Sequence, residues 1–234
     1  GYVFLMSVGE EAVLTVLDSV PPSDAFRPPY VGTDKRIRHT AGELHYELLP
    51  KLKVPSSVSE IPDVEGTAAK FQKVWPEHIA NWLKERFYPQ DNLPSYGREI
   101  AGLVSDAALL LVINETDSAK KLLALRLVQI GLDYYEIVHQ PNGNIIWKAD
   151  GGHHVGRTFP LLLAGYLLQD QAMMRVMDKS GQYAYSNGYY EGNPPPDYIH
   201  FSESDQFFYV TSRDVARGKG YSSADIGLPE YGIE

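Results

Sequence analysis

Cysteine is absent from this chain of 234 residues. That excludes disulfides, zinc–thiolate sites and a cysteine nucleophile. It leaves the compartment open, because secreted bacterial proteins also do without cysteine. Basic charge is in deficit: 21 Lys and Arg face 30 Asp and Glu, a formal net charge of −9. A nucleic-acid binder needs a basic face to neutralise phosphates, so that class is not expected. Long apolar runs are missing too. No stretch reaches the roughly 20 apolar residues that a bilayer crossing requires, and no membrane partner is expected. The start of the chain is apolar but has no basic region before it, which makes a poor signal peptide. There is no Gly-rich phosphate loop and no Gly-x-Ser-x-Gly elbow, so nucleotide hydrolysis, Rossmann hydride transfer and serine hydrolysis have no support.

What is present suits a folded domain. Hydrophobic residues make up 44% and charged residues 22% of the chain, enough for a core in one large domain or a small one beside a medium one. Two short runs rich in β-branched and apolar residues, 3–7 and 12–18, flank Gly9-Glu10-Glu11 and predict a hairpin. Pro21-Pro22 and Pro28-Pro29 then impose an extended connection. It ends in the basic patch Lys35-Arg36-Ile37-Arg38-His39. The middle is helical. A short helix is expected over 42–50, a loop over 54–66, and helices over 76–87, 95–113 and 117–138, with another beginning near Val155. Ile100, Leu103, Val104, Ala107, Leu110 and Leu111 share one face. The apolar positions of 117–138 go nearly all the way round, so that helix is expected to be deeply packed. Asp106 and Arg126 are placed to pair between neighbouring helices. The region 180–205 is rich in Tyr, Gly, Asn and Pro; a strand is expected over 206–210 and a helical turn over 211–216. The tail, 227–234, reads as part of something longer. The boundaries are 1–40 for the β hairpin and Pro-rich linker, and 41–234 for the helical domain with its C-terminal loop and strand region.

The densest chemistry lies in Asp150-Gly151-Gly152-His153-His154-Val155-Gly156-Arg157, directly before the apolar run 159–168. A histidine titrates near neutrality and serves as base or acid. A guanidinium neutralises a carboxylate, which acidifies the proton α to it. Adjacent histidines chelate poorly on a helix, since neighbouring side chains diverge by about 100°. No cofactor is expected, and a structural divalent metal is the alternative. The second constellation is the loop 183–205, with Tyr189, Tyr190, Glu191, Asp197, His200, Glu203 and Asp205. Each residue also has a structural reading: a capped helix start for the first group, a Pro-stiffened surface loop for the second.

The αα-hairpins, the apolar helix after a Gly-His-His turn and the Tyr-rich loop resemble the helical-toroid polysaccharide lyases of the alginate- and heparin-lyase-like group. The blocks that carry the resemblance are Phe26 to Lys35, Tyr96-Gly97-Arg98-Glu99, Asp150 to Arg157 and Gly227 to Ile233. They look like blocks found together in large, mostly uncharacterised bacterial proteins. The resemblance implies a mainly α fold of antiparallel αα-hairpins in an incomplete (α/α)-toroid, with a small N-terminal hairpin and a Tyr/Pro-rich C-terminal loop region. It implies β-elimination on a uronate-containing polysaccharide or oligosaccharide, and so a secreted or periplasmic setting. His153 or His154 would be the base or the neutraliser, Arg157 a carboxylate contact, and Tyr189 or Tyr190 the acid. Arg27, Tyr96, Arg98 and His200 would contact substrate. Two alternatives stand beside this. A glycoside hydrolase would pair Asp150 with Glu191, Asp197 or Glu203 across a cleft. A non-catalytic helical binding or scaffold domain, metal-stabilised or assembled as a homo-oligomer to cover apolar faces, needs no chemistry at all.

Overall fold

The structure is a computed structural model. It describes residues 2–7, 10–72, 97–114, 117–141, 143, 147, 154–178, 185–186, 189–190, 193, 195–205, 209–218 and 220–229. The helix expected over 76–87 lies outside these residues, as do Tyr96, Asp150, His153 and Glu191.

The fold is mainly helical. Strands β1 (Tyr2–Ser7) and β2 (Glu10–Thr15) form the expected antiparallel hairpin, with Tyr2 opposite Thr15 and Ser7 opposite Glu10. Over 42–50 the chain forms two 3₁₀ turns, Ala41–Glu43 and Tyr46–Leu48, in place of one short helix. Helix α1 (Val64–Lys70) emerges from the end of the segment expected to be loop. Asp63 makes it: its carboxylate accepts the N–H of Gly66 and caps the first turn. Helices α2 (Gly97–Val112), α3 (Asp117–Val138) and α4 (Thr158–Leu168) stand close to where periodicity put them. After them come α5 (Gln171–Met174), the two-residue strands β3 (Tyr185–Ser186) and β4 (Tyr189–Tyr190), α6 (Ser202–Asp205) and α7 (Ser212–Ala216).

Helix α3 is the centre of the helical body and packs against α1, α2 and α4. Leu123, Ala124, Leu127 and Val128 of α3 are completely buried, as are Ile100 and Ala107 of α2 and Leu161, Ala164 and Leu167 of α4. Burying each Leu or Ile contributes about 1.5–3 kcal/mol. The face foreseen on α2 is the buried one, with Leu103 half-exposed. Helix α3 is less uniformly enclosed than its composition suggests, because Leu122 is 41% exposed. Its closest approach is to α4, at Gly131. A Cβ there would stand 2.1 Å from the Pro160 carbonyl oxygen and 2.7 Å from the Ala164 Cβ, so the crossing requires glycine. Pro160 sits in the first turn of α4, where no intrahelical acceptor awaits an N–H.

The Pro-rich segment after the hairpin is fastened to the helical body. Phe26 is buried in the helical core. The Arg27 N–H donates to the Gln129 side chain, whose amide donates back to the Arg27 carbonyl, at 3.0 and 3.2 Å. Ala25 bridges Thr40, which closes the loop between them. Lys35 is buried, and its ammonium donates to the carbonyls of Pro29, Tyr30 and Val31. Desolvation pushes its pKa below the ordinary lysine value. Lys120 makes a similar tie, from α3 to the carbonyls of Pro50 and Ile113 at 2.8 and 2.7 Å.

Candidate functional site

One end of each constellation meets the other in space. The residues just before α4 lie against the segment 198–205. One oxygen of Glu203, Oε1, accepts the N–H groups of Gly156, Arg157 and Thr158 at 2.7, 2.9 and 3.1 Å. Those are among the N–H groups at a helix start that lack intrahelical acceptors, and the positive end of the helix dipole favours the carboxylate. Arg157, in the N-cap position, supplies no side-chain cap, so the cap comes from 46 residues further along the chain. A second tie pairs Trp147 with Phe201 in a parallel bridge, their rings 5.9 Å apart. Gly156 permits the turn. Its φ is +95°, and a Cβ would stand 3.1 Å from the backbone of Ala101 on α2.

The cluster so formed is interior. His154 and Arg157 have no exposed surface, and His200 is 4% exposed. The Arg157 guanidinium donates through Nη1 to the Val155 carbonyl at 2.6 Å. The His200 ring lies edge-on to buried Tyr198, 4.6 Å between centroids. Tyr134 of α3 meets Trp147 edge-to-face at 5.0 Å. Burial pushes its phenol well above the ordinary range, against the nearby positive charge of Arg157. No group with so little exposure touches a polymer from outside. His154, Arg157 and His200 are therefore interior residues rather than surface contacts.

The other expected site residues divide. Arg27 is engaged with Asp133 of α3: Nη1 donates to Oδ1 at 2.7 Å, Nη2 donates to Oδ2, and the guanidinium stacks 3.8 Å over the Tyr30 ring. Asp133 is 1% exposed, and desolvation raises its pKa although Arg27 works the other way. Tyr189 and Tyr190 form β4, paired with Ser186 and Tyr185 of β3. Arg98 lies in the first turn of α2. Asp150, His153 and Tyr96 lie outside the described residues. Of the carboxylates considered for hydrolysis, Asp197 is exposed and Glu203 is spent on the α4 cap. Asp106 is exposed and makes no ion pair among the described residues; Arg126 instead donates to the Ala68 carbonyl at 2.6 Å, so the expected pairing is not formed. Among the described residues no three His, Asp or Glu side chains gather as a metal set, and no helix is long and apolar enough to cross a membrane.

Sequence reasoning missed Asp133 as a partner and Glu203 as a cap. Asp133 left a signal, a carboxylate among the apolar residues Ile130, Leu132 and Tyr134 of α3. Its partner, 106 residues away, did not. Glu203 lies outside any local capping motif. Compared with protein-family models, curated proteins and solved structures, the chain matches none.

Proposed function

We propose that the chain is the helical part of a carbohydrate-active enzyme of the (α/α)-toroid, polysaccharide lyase-like kind, acting by β-elimination on an acidic, uronate-containing glycan. The observation that carries this reading is the triple hydrogen bond of Glu203 to the start of α4. It holds the histidine-bearing turn against the end of the Tyr-rich loop, where a composite site needs both. Burial of His154 and Arg157 narrows the roles. His153 is the base that removes the proton α to the uronate carboxylate. The electron pair forms the new C–C double bond as the glycosidic C–O bond breaks, and Tyr189 or Tyr190 returns a proton to the leaving oxygen. His154 and Arg157 are positioning residues in this scheme.

A non-catalytic scaffold is the second reading, favoured by the same burial. The test is incubation with uronate glycans and with neutral glycans, following the ultraviolet absorbance of an unsaturated product and the appearance of reducing ends. The expected result is an ultraviolet-absorbing product from uronate glycans only. His153→Ala should abolish it with the melting temperature unchanged, whereas His154→Ala should lower the melting temperature. Reducing ends without absorbance would replace lyase by hydrolase. No product of either kind would leave the scaffold.

A further inference from the structure

A cleft of about 440 Å³ opens along α3, between the segment 23–27 and the end of α1. Its size falls in the range of small-molecule sites, about 300–1,000 Å³. The floor is apolar: Phe26, Phe71 and Ile130 are buried beneath it and Leu125 is half-buried. The rim is polar, with Ser23, Asp24, Gln72 and Arg126. Both walls are fixed in advance. Asp24 accepts the Gly42 N–H at 3.1 Å, and Arg27 is locked to Gln129 through its backbone and to Asp133 through its side chain. Arg126 differs from Arg27 in one respect. Its guanidinium makes no ion pair among the described residues, although Asp24 stands on the same rim. A single guanidinium nitrogen is used, on the Ala68 carbonyl, while Nε and Nη2 have no acceptor there. A half-buried cation with two adjacent donors, beside a hydrogen-bonding carboxylate and amide over an apolar floor, matches one sugar unit that carries both hydroxyls and a carboxylate.

We infer that this cleft is a binding subsite for an acidic sugar unit, whose carboxylate is held by Arg126 while Asp24 and Gln72 take its hydroxyls. The inference rests on the glycan reading above and extends it to a cleft that holds, of the substrate contacts that reading implies, only Arg27. The cleft is lined by none of the residues given catalytic roles, so binding and turnover separate.

The experiment is calorimetric titration of a mannuronate tetrasaccharide and a neutral mannose tetrasaccharide into the whole chain and three variants. Wild type should bind the uronate and not the neutral sugar. Arg126→Lys, which keeps the charge but loses the planar fork, should weaken binding tenfold or more. Gln72→Glu should weaken it several-fold at low salt; this residue is exposed and the change isosteric, so folding is not at stake. His153→Ala should bind like wild type. Equal binding of the uronate by wild type, Arg126→Lys and Gln72→Glu overturns the subsite, as does equal binding of the neutral sugar. If those variants bind normally and wild type still forms unsaturated product, only the subsite fails. If the uronate binds through Arg126 and no product of any kind forms, the subsite stands and the enzymatic reading falls.

Discussion

Glu203 shows how a residue's environment decides its role. As a carboxylate in a polar loop it has the chemistry of a general acid. In the fold, one oxygen takes three backbone N–H groups and the side chain becomes a helix cap delivered from a distance. Caps of this kind contribute about 1–2 kcal/mol, part of it from the charge at the helix N-terminus. Glu203→Ala should therefore lose about that much in urea unfolding, and Glu203→Gln, which keeps an acceptor without the charge, about half. A Glu203→Ala midpoint equal to wild type would remove the cap from the account. His154 and Arg157 make the same point in reverse. Residue type marked them as reactive, and the fold buries them.

At the scale of elements, the helices were legible where apolar residues recur at helical spacing over several turns, as in α2, α3 and α4. Helix α1 was not, because Gly66 and Thr67 are weak helix formers. It depends on the Asp63 cap and on packing against α3. Packing also decides how α3 and α4 cross. Gly131→Ala should cost about 3 kcal/mol, since a methyl group would collide with the rigid backbone of Pro160. The near-ultraviolet dichroism should change while helix content stays close to wild type. If Gly131→Ala unfolds at the wild-type denaturant concentration, the two helices are further apart than described.

Across the whole molecule, the net charge of −9 rules out affinity for polyanions by bulk attraction, so any acidic ligand must be held locally. The titration of the fold combines two opposite contributions. Asp34 lies well below the ordinary carboxylate range because Arg36 and Arg38 bond to it; Glu47 is lowered by His45, and Asp225 by the N–H and hydroxyl of Ser222. Depressed carboxylates stabilise the fold above their ordinary values, 3.8 for Asp and 4.5 for Glu. That contribution is lost as pH falls below them. Buried Asp133 runs the other way. Its pKa is raised above 3.8, so its neutral form suits the fold, and its contribution fades as pH rises from 3.8 through the higher folded value. The melting temperature should therefore fall below about pH 4, less steeply in high salt, which screens the exposed pairs. The advantage of wild type over Asp133→Asn should shrink from acid pH toward neutrality. An advantage that grows over that interval would mean that Arg27, not desolvation, governs Asp133.

The sequence by itself determined the hairpin, the three long helices and the absence of thiol chemistry, because periodicity, turn residues and composition act over a few residues at a time. Only the tertiary structure decided that Arg27 meets Asp133, that Glu203 caps α4, that His154 and Arg157 are interior, and that Arg126 faces a cleft. Those outcomes join residues dozens to more than a hundred positions apart. Contact at that separation depends on how buried faces and close helix approaches fold the chain back on itself, and no local pattern carries it.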